Sequence, residues 1–171
     1  MELFAKAAEV YARIRRTVDD VRNIRNQKQA YADAFQVSDR AGVEVHVVGS
    51  LAGGTGSGTF LDVAFMARDV IGGDEQSNFT GIFLLPGIFL RSSGVALVKP
   101  NAYGALKEVE YLSTTKGSFT VDYGFRRVDI TRPPFDLIYL LDNINEQGRV
   151  VTEQGDLHSL IADGMYVQIG S

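Results

Sequence analysis

The chain has 171 residues, 45% hydrophobic and 22% charged, which is enough apolar side chain for one packed domain. A net charge of −4 argues against a nucleic-acid-binding protein, and the absence of cysteine excludes disulfides, thiol nucleophiles and cysteine-bound metals. No apolar run reaches the roughly 20 residues that span a bilayer, and the start "MELFAKAAEV" lacks the pattern of a secretory leader, so a cytoplasmic protein without a membrane span is expected.

Residues 2 to about 34 contain no Gly or Pro, and Phe4, Ala8, Tyr11, Ile14, Val18, Val21 and Ile24 recur in steps of three and four. That spacing predicts a long amphipathic helix over 2–34, with a break near Asn26. Residues 1–40 carry eight Lys/Arg and six Asp/Glu, a net of +2, and the remainder nine and fifteen, a net of −6. Arg13, Arg15, Arg16, Arg22 and Arg25 alternate with Asp19 and Asp20, which fits a solvated helix face better than a phosphate track. "SDRAG" (38–42) reads as a turn. "VEVHVVGS" (43–50) reads as a strand with Val43, Val45 and Val47 on one face. Val48 on the other face predicts that both faces are at least partly buried, as in a parallel sheet.

The next stretch, "SLAGGTGSGTF" (50–60), holds four glycines, Gly53, Gly54, Gly56 and Gly58, with Thr55 and Ser57 between them. Glycine permits positive φ and lets a foreign group approach bare amides. A helix is expected from "TFLDVAFMARDVIGG", with Asp62 and Asp69 on one narrow face and Gly72 and Gly73 as its stop. The order strand, glycine loop, helix places unsatisfied N–H groups at a helix N-terminus, a setting that attracts phosphate. Hydroxyls of Thr55 and Ser57 can add donors. The loop fits none of the commonest motifs: no Lys-Ser/Thr pair follows its last glycine, the spacing G-x-G-x-x-G is absent, and Thr55 and Thr59 occupy the flanks that a nucleophile elbow reserves for glycine.

"FTGIFLLPGIFL" (79–90) reads as a second buried strand ended by Pro86 and Gly87, and "RSSGVALVK" (91–99) as loop. "PNAYGALKEVEYLSTT" reads as a helix with Pro100 in its first turn and Ala102, Leu106, Val109 and Leu112 on one face. Two alternating runs around Tyr123-Gly124 predict a hairpin. "FDLIYLLDN" (135–143) is a third apolar strand, and "GDLHSLIADGMY" (155–166) opens another helix with Asp156 near its positive end. Strands alternating with helices argue an α/β fold with a parallel core. His46, alternating within a strand, is expected to be structural, and two isolated histidines make no zinc site.

"SLAGGTGSG" resembles the signature loop of the tubulin and FtsZ superfamily, usually written GGGTGSG. "VALVKPNAYGALKEV" resembles the superfamily's ribose-contacting loop and following helix. "YLLDNINE" is similar to the strand end whose Asn reads guanine, and "GDLHSLIADGM" to the start of the central helix. The likeness covers residues 40–171 and looks most like the bacterial tubulin-like proteins that are neither FtsZ nor true tubulin. It implies a Rossmann-like, parallel-sheet nucleotide-binding core over 1–171, truncated at both ends, with a β-hairpin insertion. It also implies a GTP- or GDP-binding protein, with Mg2+ accompanying the nucleotide, that assembles head to tail with copies of itself. Under this resemblance Ala52, Gly53, Gly54, Thr55, Gly56, Ser57 and Gly58 hold phosphate, Asn143 reads the base and Asn101 lies at the ribose. On residue type alone Asn143 equally suits a turn after a strand, and Asn101 a helix start. His158 stands where the family offers an Asn to the base; it can stack on a purine or be structural. Ala52 replaces a family glycine and Lys99 an acid. No segment before Val43 resembles the family's first phosphate loop, and no catalytic acid is identified, so a middle fragment inactive as a GTPase is expected. The competing expectation is a scaffold or interaction module on the same fold that has lost nucleotide binding.

Overall fold

The structure, a computed structural model, describes residues 2–32, 42–72, 76–91, 95–114, 118–144, 146–148, 150–152 and 154–170. Helix α1 spans Glu2–Ala32 without the break expected near Asn26, because no Gly or Pro interrupts its ladder. Residues 38–41 of the turn expected over 38–42, and the second stop glycine, Gly73, lie outside the described residues. The buried stripe of α1 is narrower than the sequence pattern: Ala7, Tyr11 and Val18 are buried, while Ala8, Val21 and Ile24 are exposed. For Val21 and Ile24 the reason is length. Arg22 donates to the carbonyl of Ile71 at the end of helix α2 (Gly54–Ile71), so Ile24 lies past the end of the helix it packs on.

Strands β1 (Glu44–Ser50), β2 (Asn78–Leu84) and β5 (Leu137–Leu141) form a parallel sheet in the order β1-β2-β5, with Val47 opposite Gly81 and Gly81 opposite Ile138. Strands β3 (Phe119–Asp122) and β4 (Arg127–Ile130) form the expected hairpin; Gly124 takes the positive φ of its turn, at 84°. This mixed α/β architecture with a parallel core is the expected fold class. The second strand stops at Leu84. Pro86–Arg91 is a 3₁₀ helix, since proline cannot donate to a ladder. Val95–Leu97 is also 3₁₀ rather than loop, and α3 runs Val98–Thr114 with Pro100 in its first turn. Helix α4 runs Gln154–Gly170.

One sheet face, carrying Val45, Val47, Phe79 and Phe83, packs on α2 and α3 around Phe60, Ala64, Ala102, Ala105 and Val109. Phe60, Phe83 and Phe135 meet edge to face or stacked at centroid distances of 5.1–6.2 Å. On the far side of α2, α1 and the hairpin share a second core through Ala7, Tyr11, Phe65, Met66, Tyr123, Val128 and Ile130. On the opposite sheet face, Leu84 and Leu141 meet Leu157 and Ile161 of α4 at the carboxyl end. Val48, expected to be partly buried, is 43% exposed, on the wall of a cavity that it shares with Phe89, His158 and Ile161. His46, on the same face, has both ring nitrogens buried.

Candidate functional site

The parallel strands β1 and β2 end side by side, and ligands of open α/β sheets bind outside such carboxyl ends. The ladder extends one residue further, with Leu51 N–H donating to Leu84 O at 3.1 Å. The chain then turns: Ala52 N–H donates to Ser50 Oγ (3.2 Å), and Asn101 Nδ2 donates to Ala52 O (3.1 Å). Gly53 caps α2 in an extended conformation, φ −90° and ψ 149°, and Ser57 N–H donates to Gly53 O at 3.0 Å as the first bond of the helix. The N–H groups of Gly54, Thr55 and Gly56 precede that bond and have no acceptor within the helix. No residue of the first turn is acidic, and the N-cap Gly53 makes no side-chain capping bond to them.

Two expectations about this loop change. Its glycines are helical from Gly54 onward, so α2 starts five residues before Thr59, where the sequence pattern placed it. None of Gly53, Gly54, Gly56 or Gly58 has positive φ. Their role is therefore clearance. A Cβ on Gly53, Gly54 or Gly58 would meet nothing within 4 Å, whereas a Cβ on Gly56 would collide with the backbone oxygen of Ser50. Gly56 lets the helix seat against the strand end; the other three leave the amides open to solvent. Ala52 also has a negative φ, so its methyl is accommodated without strain, and it is buried.

The hydroxyls are partly engaged. Ser57 Oγ lies 3.5 Å from Gly54 O, and Thr59 Oγ1 donates to Thr55 O at 2.8 Å, while Thr55 is exposed. Beside the loop, a cavity of about 300 Å³ is lined by Val48, Gly49, Ser50, Leu84, Phe89, His158 and Ile161. Helix α4 thus brings His158 to a cavity whose other wall is Ser50.

Asn143 is placed differently. It is 8% exposed, its Nδ2 donates to Val151 O at 3.3 Å, and its backbone carbonyl accepts from Val151 N–H at 2.7 Å. A Cβ on Gly87 would strike both Asp142 Oδ1 and Asn143 Oδ1, so the 3₁₀ turn closes over the Asp142-Asn143 corner. Asn143 therefore fastens the Ile144–Val150 bridge in this structure, the turn role that its residue type also allowed. Asn101 is joined to the glycine loop at Ala52, His158 shares a cavity with Ser50 at the end of β1, and Asn143 lies just past the end of β5 with its amide bonded to Val151. Ser50 was missed as a site residue, although a serine two residues before a turning backbone N–H is a recognised signal of a side-chain-closed turn.

The nearest perturbed group is Asp62, on α2 one turn past Gly58. Burial raises its pKa, and a hydrogen bond from Tyr123 (2.8 Å) acts against that rise.

A parallel α/β sheet whose first described strand runs into an open glycine-rich helix start defines a Rossmann-like α/β class of protein. Residues 1–171 match the family described as "Tubulin like", and the chain belongs to that family. No curated protein and no solved structure matches the chain. Among the described residues, no helix is long and apolar enough to cross a membrane.

Proposed function

We propose that the chain binds a guanine nucleotide through its polyphosphate at the Gly53–Ser57 turn and assembles head to tail with copies of itself. The observation that carries this reading is the open cup: amides of the first turn of α2 without intrahelical acceptors, flanked by glycines whose missing side chains leave clear space. In this reading the amides and the positive helix end hold the phosphates, Thr55 adds a hydroxyl, and His158, on the wall of the cavity that Ser50 also lines, stacks on the purine. A bound nucleotide would bring the negative charge that the amides of the cup hold, and Mg2+ would accompany it as the counter-charge on the phosphates. Guanine rather than adenine rests on the tubulin-like family membership. No residue is assigned a role in hydrolysis.

A second reading, an interaction module on the same fold without nucleotide, is favoured by one observation: the Asn143 amide is turned into the protein. Calorimetric titration of the protein with GTP, GDP and ATP separates the two. Saturable binding with GTP preferred over ATP is the expected result; flat curves for all three remove the first reading. Sedimentation velocity with and without GTP then tests assembly, which is expected to shift material to larger species only with nucleotide.

A further inference from the structure

The hydrogen bond from Asn101 to Ala52 O bears on how the cup is aimed. The Ala52–Gly53 peptide is planar and trans, so its carbonyl and the Gly53 N–H point in opposite directions. Fixing one fixes the other. Asn101 Nδ2 holds the carbonyl at 3.1 Å, and Ser50 Oγ holds the Ala52 N–H on the preceding peptide at 3.2 Å. Both polar backbone groups of Ala52 are thus tied, whereas Gly53 is exposed and a Cβ there would meet nothing within 4 Å. A hydrogen bond accepted by the carbonyl also polarises the peptide and strengthens its N–H as a donor.

We infer that Asn101 is a positioning residue: it turns the Gly53 N–H out toward the cup, making that amide a fourth phosphate donor ahead of Gly54, Thr55 and Gly56. This rests on the nucleotide reading above and departs from the ribose role that family resemblance implies for Asn101. An amide nitrogen committed to the loop carbonyl acts on the polyphosphate through Gly53. Because Asn101 lies in the first turn of α3, the tether also couples that helix to the glycine loop.

The test uses Asn101→Leu, close in volume, uncharged and a good helix former, with Asn101→Ala as the smaller replacement should leucine unfold the protein. Two readouts are taken: the ¹H–¹⁵N resonance of Gly53 in the ligand-free protein, and calorimetric affinity for GTP and for inorganic tripolyphosphate, which has no ribose. The expected result is a displaced Gly53 resonance and a loss of about ten-fold for both ligands, the consequence of one hydrogen bond. An unmoved Gly53 resonance overturns the inference. So does a loss for GTP with tripolyphosphate unchanged, since that is the signature of a ribose ligand. If the unaltered protein binds neither ligand, the nucleotide reading falls, and the Gly53 resonance alone decides whether the tether aims the amide.

Discussion

Gly54 and Gly56 are two residues apart in one helical turn, yet a methyl group added to each has opposite consequences. At Gly54 the backbone is helical with negative φ and the added Cβ enters open space. Alanine is intrinsically favoured over glycine in a helix by roughly 0.5–1 kcal/mol, so Gly54→Ala is expected to raise the melting temperature. The same methyl intrudes on the cup, so polyphosphate binding measured by calorimetry is expected to weaken. At Gly56 the methyl meets the backbone oxygen of Ser50, which cannot rotate away. Overpacking of that kind costs about 1–3 kcal/mol, and Gly56→Ala is expected to lower the melting temperature. A Gly54→Ala protein that is stabilised and binds as before would show that the cup is not the site.

At the scale of elements, α2 is the hub, and its polar face is not a solvent face. Asp62 accepts from Tyr123 of the hairpin, and Asp69 accepts from both Tyr11 of α1 and Arg126 of the hairpin. Burial opposes the charged form of Asp69, but the hydrogen bonds from Arg126 and Tyr11 outweigh it and hold its pKa below the usual carboxylate range. The sign follows. A depressed carboxylate pKa contributes stability above the unfolded value of about 3.9, and loses it as pH falls through the folded value. Asp62, raised by burial, works in the opposite direction over the region above 3.9. Asp69→Asn is therefore expected to melt below the parent protein by a constant margin at neutral pH. That margin should shrink below about pH 4, where the parent carboxylate also becomes protonated. Melting curves between pH 2.5 and 7, a range that brackets the unfolded carboxylate value of about 3.9, check it; a margin independent of pH would mean that the charge of Asp69 contributes nothing.

Over the whole molecule, the sheet is joined to the helices by Phe60, Phe83 and Phe135, from α2, β2 and the segment before β5. A second knot lies nearby. Arg68 of α2 lies 4.0 Å over the Phe79 ring, donates to Pro134 O at 3.2 Å, and pairs with Asp136 at 3.0 Å. Asp136 in turn accepts from Phe79 N–H at 2.8 Å. These contacts set where β5 begins and so carry the Asp142-Asn143 corner to its place beside Gly87. Truncating a buried phenylalanine costs about 3–5 kcal/mol, a large share of the 5–15 kcal/mol typical of a domain. Phe83→Ala is expected to shift the urea midpoint strongly downward. A shift no larger than that of an exposed-site control such as Tyr166→Ala would place the core elsewhere.

Periodicity and punctuation alone determined the alternation of strands and helices, the hairpin at Tyr123-Gly124, the proline in the first turn of α3 and the glycine turn after β1, because these are set by local backbone preferences and side-chain spacing. The resemblance carried by "SLAGGTGSG" led to the family that the whole chain matches. Tertiary structure decided the rest. The helix start moved from Thr59 to Gly54 because Gly56 can seat against Ser50 O, a contact between residues whose meeting no propensity encodes. The α1 stripe lost Val21 and Ile24 because its partner helix is shorter. Asn101 and Asn143 turned out to bond to Ala52 and Val151, since a side-chain amide takes whichever acceptor the fold presents, and that acceptor lies 49 residues away in one case and 8 in the other.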